Sequence, residues 1–121
     1  MNPRVLIVDD EEAVRNMMVA IVVKDGGAVF QAQDGVEALE VLKEERIDLV
    51  LLDMSMPNMD GRQTLSRIRE ENPTLPVVLV SGYVDQDITR GIELGSHTMF
   101  VHKPFRRRTL HEALARLLPK V

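Results

Sequence analysis

Apolar residues return along the chain in short consecutive runs: Val5 to Val8, Ala28 to Phe30, Leu49 to Leu52, Val77 to Val80 and Met99 to Val101. Each run is strand-length and rich in Val, Leu or Ile, with apolar side chains at successive rather than alternate positions. Such runs predict strands covered on both faces, as in a buried parallel sheet. Between them the spacing becomes helical. Ala13, Met17, Ala20 and Ile21 share one face, Val36, Leu39, Val41 and Leu42 a second, and Leu65 and Ile68 a third. Ile88, Ile92 and Leu94 mark a fourth helix closed by Gly95, and Leu110, Ala113, Leu114, Leu117 and Leu118 a fifth stopped by Pro119. Asp34-Gly35, Asn58 to Gly61 and Asn72-Pro73 supply turns. Alternation of strand and helix predicts right-handed parallel crossovers and a three-layer α/β architecture.

Composition narrows the class. A chain of 121 residues, 45% of them apolar, fits a single domain with an adequate core, expected over residues 1–121. With no cysteine, a disulfide scaffold, a thiolate nucleophile and a zinc-thiolate site are all excluded. The opening Met-Asn-Pro-Arg lacks the apolar stretch of a signal peptide, and no apolar run approaches the roughly 20 residues that span a bilayer. A cytoplasmic protein without a membrane partner is expected. The net charge of -4 argues against direct nucleic-acid binding by this chain, because such affinity comes largely from Lys and Arg neutralising phosphates.

In an open parallel sheet, ligands bind beyond the carboxyl ends of the strands, so polar residues there are the candidates. They are Asp9 and Asp10 after the first strand, Asp53 after the third, Ser81 after the fourth and Lys103 after the fifth. Taken singly, an Asp after a strand is usually a turn residue or helix N-cap. Three carboxylates, a hydroxyl and an ammonium gathered at one edge are a costly way to make turns. At about 5 Å and an effective dielectric near 20, each carboxylate pair repels by roughly 3 kcal/mol. Proton uptake or a hard divalent cation such as Mg²⁺ offsets this, and the cation also prepares the site for a phosphoryl group. Aspartate is a competent covalent nucleophile in that chemistry.

The stretch Asp53-Met54-Ser55-Met56-Pro57-Asn58-Met59-Asp60-Gly61 resembles the D-x-x-M-P-x-M-D-G signature of two-component response regulator receiver domains. Asp9-Asp10, Ser81 and Lys103-Pro104-Phe105 complete the pattern in the family's order, so the resemblance covers essentially the whole chain. It implies a flavodoxin-like (βα)5 fold, a doubly wound five-stranded parallel sheet in strand order 2-1-3-4-5. It also implies a phosphorylation-dependent switch loaded by a sensor histidine kinase or a phosphotransfer protein. Position by position, Asp53 is then the phosphoacceptor and Asp10 a direct Mg²⁺ ligand, with Asp9 acting through metal-bound water and Ser55 offering its backbone carbonyl. Lys103 contacts the phosphoryl group, Ser81 hydrogen-bonds it, and Phe100 is the switch aromatic that follows Ser81. Gly82 stands where the family often has Ala, and Tyr83 is placed to shield the phosphoryl group from water. The face made by the fourth helix, last strand and fifth helix is the one the family often uses for effectors or a homodimer. A basic start to the fifth helix, Arg106, Arg107 and Arg108, suits such a contact, although a solvated face is the plainer account.

Other chemistries fit less well. A phosphohydrolase of the haloacid-dehalogenase type carries a second Asp two residues beyond its nucleophile, where this chain has Ser55, so turnover of external substrates is not expected. A flavin phosphate would be repelled by Asp9-Asp10-Glu11-Glu12. Met54, Met56 and Met59 are expected to pack rather than bind a soft metal, and His97, His102 and His111 lack a ligand arrangement. A stand-alone receiver and a receiver within a longer regulator or hybrid kinase are equally compatible with the sequence.

Overall fold

The computed structural model describes residues 3–54, 61–81, 97–102 and 107–117, apart from the side chains of Ser81 and His102. In chain order the elements are β1 (Arg4–Val8), α1 (Glu12–Lys24), β2 (Ala28–Ala32), α2 (Gly35–Glu44), β3 (Leu49–Asp53), α3 (Gly61–Glu71), β4 (Val77–Ser81), β5 (Thr98–His102) and α4 (Arg107–Leu117). All five expected strands form, each one or two residues longer than its apolar run, so Asp53 and Ser81 end strands rather than follow them. The helix expected around Ile88 to Leu94 lies outside the described residues, as do Gly95, Leu118 and Pro119.

The strands pair in parallel in the order β2-β1-β3-β4-β5. Consecutive apolar residues serve opposite faces, because side chains alternate across a strand. Val5, Ile7, Leu49, Leu51, Val78, Val80 and Val101 pack with α1 and α4, while Leu6, Val8, Val50, Leu52, Val77 and Leu79 pack with α2 and α3. This double covering makes the runs continuous in sequence.

The helix faces need correction at two places. On α1 the buried residues are Met18, Ile21 and Val22, whereas Ala13, Met17 and Ala20 face solvent, Met17 being 46% exposed. Apolar side chains occur all round this helix, so periodicity alone could not choose the stripe. On α2, Ala38 is buried with Leu39, Val41 and Leu42 partly so, but Val36, in the first turn, is 52% exposed. Leu65 and Ile68 of α3, and Leu110, Ala113 and Leu114 of α4, are buried as expected.

Local chemistry explains several ends. Asp34 is the N-cap of α2, its Oδ1 accepting from the Glu37 N–H at 2.8 Å. Asn72 Oδ1 accepts from the Thr74 N–H in the turn before β4. Gly26, after α1, has φ +91°, a backbone conformation that favours glycine. Near it Asp25 Oδ2 lies 2.8 Å from His111 Nδ1 and Oδ1 accepts from Arg107 at 3.3 Å, tying the end of α1 to α4. Arg107 is therefore engaged within the domain, Arg108 is exposed, and Arg106 lies outside the described residues.

Candidate functional site: an acidic pocket at the sheet edge

Strand order reverses between β1 and β3, and in open parallel sheets ligands gather beyond the carboxyl ends of the strands at such a point. Register carries the acidic residues to it. Val8 lies opposite Leu52, so Asp9 and Asp53, each one residue further on, reach the same edge. Asp53 lies opposite Val80 on β4, and the next residue, Ser81, is opposite His102 on β5.

Asp9 is fixed from several directions. Its N–H donates to the Ala32 carbonyl at 3.1 Å. Its Oδ1 accepts from the Glu11 N–H at 2.9 Å, an Asx turn that starts the path into α1. Its carbonyl accepts from Arg15 Nη1 at 2.8 Å, and Arg15 Nε donates to Gln31 Oε1 on β2 at 3.0 Å. On the other side, the Met54 N–H donates to the Val80 carbonyl at 2.9 Å, holding the chain just past Asp53. Met54 is buried against the second core face, in keeping with a packing role.

Carboxylate oxygens of Asp9, Asp10 and Asp53 all lie within 4.8 Å of one another. Asp9 is 0% exposed and Asp53 2%, while Asp10 faces solvent. Two buried carboxylates and a third at the rim concentrate negative charge where desolvation makes it most costly. The set offers only hard oxygen donors, the chemistry that suits Mg²⁺. These residues fit a divalent cation.

Of the other sequence candidates, Phe100 lies on β5 opposite Leu79 and is partly buried against the second core face. The backbone of Ser81 ends β4, but its side chain lies outside the described atoms. Ser55, Lys103, Gly82, Tyr83, Met56 and Met59 lie outside the described residues. His97 is exposed and His111 pairs with Asp25. Two residues beside the pocket were not anticipated: Arg15, and Gln31, which looks unremarkable at the end of an apolar run. The sequence holds one clue, an Arg six residues after Asp9 on the first helix, whose reach across to β2 becomes visible only with the fold.

Residues 5–115 match the family model for the response regulator receiver domain. The chain belongs to that family, whose members act in phosphorylation-dependent two-component signalling. It is 38% identical over 120 residues to Sporulation initiation phosphotransferase F of Bacillus subtilis, with 98% of this chain and 96% of that protein covered. It is also 36% identical over 118 residues to Sensor kinase CckA of Brucella abortus, where 96% of this chain matches only 12% of the larger protein. The chain thus spans nearly all of one relative and a small part of another. Among solved structures, the response regulator protein TrrA of Thermotoga maritima, in complex with Mg²⁺–BeF, is similar with a TM-score of 0.85 and 28% identity, covering 96% of this chain and 99% of that one. Among the described residues, no helix is long and apolar enough to cross a membrane.

Proposed function

We propose that residues 1–121 form one receiver domain in which Asp53 accepts a phosphoryl group with the help of Mg²⁺. The observation that carries this reading is the convergence of three carboxylates within 4.8 Å at the switch point of the sheet, Asp53 buried among them. Asp10 and Asp53 would hold the ion through their carboxylates, Asp9 through its water, and Ser55 through its backbone carbonyl. Bound there, Mg²⁺ would supply positive charge for the phosphoryl oxygens.

The donor is a phosphohistidine on a sensor kinase or phosphotransfer protein. A carboxylate oxygen of Asp53 attacks phosphorus; the O–P bond forms as the P–N bond breaks, and the departing imidazole nitrogen takes a proton. An acyl phosphate on Asp53 and a free histidine result. Lys103 and Ser81 are assigned to the phosphoryl oxygens, and Phe100 to the response that follows. Repacking of Phe100, on β5, would pass the change to the face shared by β5 and the flanking helices, where an effector or second copy binds. A shift from 1:99 to 99:1 between two states needs roughly 5.5 kcal/mol of differential stabilisation. The domain acts on itself: it catalyses its own phosphorylation and dephosphorylation, works in the cytoplasm, and turns over no external substrate.

Intact mass after incubation with a small-molecule phosphodonor tests the reading. One phosphoryl group should add to the wild type, only with Mg²⁺ present, and none to Asp53→Asn. Equal labelling of the two proteins would overturn it.

A further inference from the structure

Among the described residues, the hydrogen bonds of Asp9 lead to Arg15. We infer that Arg15 is a positioning residue that orients the Asp9–Asp10 peptide and so sets how tightly the pocket holds its divalent ion; this rests on the proposed reading of that pocket.

Asp9 and Asp10 differ in how they are held. Asp9 is buried, its N–H bonded to Ala32 and its carboxylate to the Glu11 N–H. Asp10 is exposed, and its carboxylate reaches the cluster from the next peptide unit. The carbonyl oxygen of Asp9 belongs to the peptide that joins the two, and Arg15 Nη1 donates to it at 2.8 Å. A peptide plane held at its oxygen loses freedom to rotate, which limits where the Cα of Asp10 can direct its side chain. Arg15 is itself steadied at both ends: its N–H donates to the Glu11 carbonyl at 2.9 Å, and its Nε donates to Gln31 on β2 at 3.0 Å. The guanidinium therefore spans from β2 to the β1 loop as a two-point brace, a role its planar fork serves well.

Electrostatics alone points the other way. A positive charge beside three carboxylates opposes a cation, so removing it should tighten Mg²⁺ binding. Bracing the ligand peptide predicts the opposite sign, because partners that orient metal ligands commonly account for about 10-fold or more in affinity.

The test is calorimetric titration of Mg²⁺ into the unphosphorylated wild type, Arg15→Ala, Arg15→Lys and Gln31→Leu, with the Mg²⁺ dependence of phosphodonor labelling measured alongside. Arg15→Ala should bind Mg²⁺ about 10-fold more weakly. Its half-saturating Mg²⁺ for labelling should rise by the same factor, while its labelling rate at saturating Mg²⁺ stays close to wild type, a split that general loss of structure would not produce. Arg15→Lys should recover most of the affinity, since an ammonium can still reach the Asp9 carbonyl, and Gln31→Leu should lose affinity in the same direction but less. Arg15→Ala binding Mg²⁺ as tightly as wild type, or more tightly, would overturn the inference. Should Arg15→Ala not fold, Gln31→Leu decides, and unchanged affinity there overturns it. A wild type that takes up no Mg²⁺ would instead overturn the reading of the pocket itself.

Discussion

Asp9 does two jobs that look like competing explanations in the sequence. One carboxylate oxygen closes an Asx turn with the Glu11 N–H, the ordinary occupation of an Asp after a strand. The same side chain also contributes to the acidic cluster. The turn thus holds a member of the cluster in place. Gly61, which closes the D-x-x-M-P-x-M-D-G stretch and opens α3, has an equally local reason. A Cβ there would lie 2.7 Å from the Met54 Cα, and backbone cannot yield cheaply. In an exposed helix Gly→Ala would be expected to stabilise by roughly 1 kcal/mol. Here overpacking reverses the sign, and Gly61→Ala should destabilise by about 1–3 kcal/mol in denaturant unfolding. Because Met54 adjoins Asp53, the same variant should also label more slowly.

At the scale of elements, α1 separates what periodicity can and cannot decide. Its helical character was legible, but its inward stripe was not, because Met17 and Met18 are equally apolar neighbours and only the sheet determines which one is covered. Met18→Ala should cost about 2–5 kcal/mol, whereas Met17→Ala should stay within about 0.5 kcal/mol, measured as shifts in unfolding midpoint at constant slope. The five strands were legible because each is buried on both faces and so reads as an unbroken apolar run. Their outer residues were less so: Asp53 and Ser81 are polar, and a polar residue reads as a strand's end until register places it inside. A polar tie of another kind comes from Arg69 on α3, which donates to the carbonyls of Asn72, Leu75 and His97 and to Thr98 Oγ1. Partial burial lowers the guanidinium pKa from its ordinary value, yet it remains charged at any physiological pH. This brace joins the end of α3, the turn before β4 and the start of β5, a long-range role no local pattern could announce. Arg69→Met should destabilise by about 2 kcal/mol, since charged hydrogen bonds are lost and carbonyls are left without their donor.

For the whole molecule, the pocket sets stability against function. Three carboxylates crowd one edge of the sheet, at a repulsive cost that bound cation would relieve. Without Mg²⁺, Asp53→Asn should therefore raise stability by about 1–2 kcal/mol, several degrees in Tm. With Mg²⁺ at about 100 times its Kd, the wild type should gain about 2.7 kcal/mol and Asp53→Asn much less. Thermal unfolding of both proteins with and without the ion checks all three expectations. The acidic cluster was legible in the sequence, since Asp9, Asp10 and Asp53 stand at strand ends that the sheet then brings together. Arg15 and Gln31 were not, because their bonds cross between elements and neither carries a distinctive spacing.

On the proposed function, the phosphoryl group resides on Asp53 and not on its acidic neighbours. The most direct measurement is borohydride reduction of the phosphodonor-treated protein, which converts a phosphorylated aspartate to homoserine, followed by peptide mass mapping. Homoserine at position 53 alone, dependent on Mg²⁺, is the expected result. Homoserine at position 9 or 10, or none at position 53 under conditions that add a phosphoryl group to the intact chain, would contradict the account.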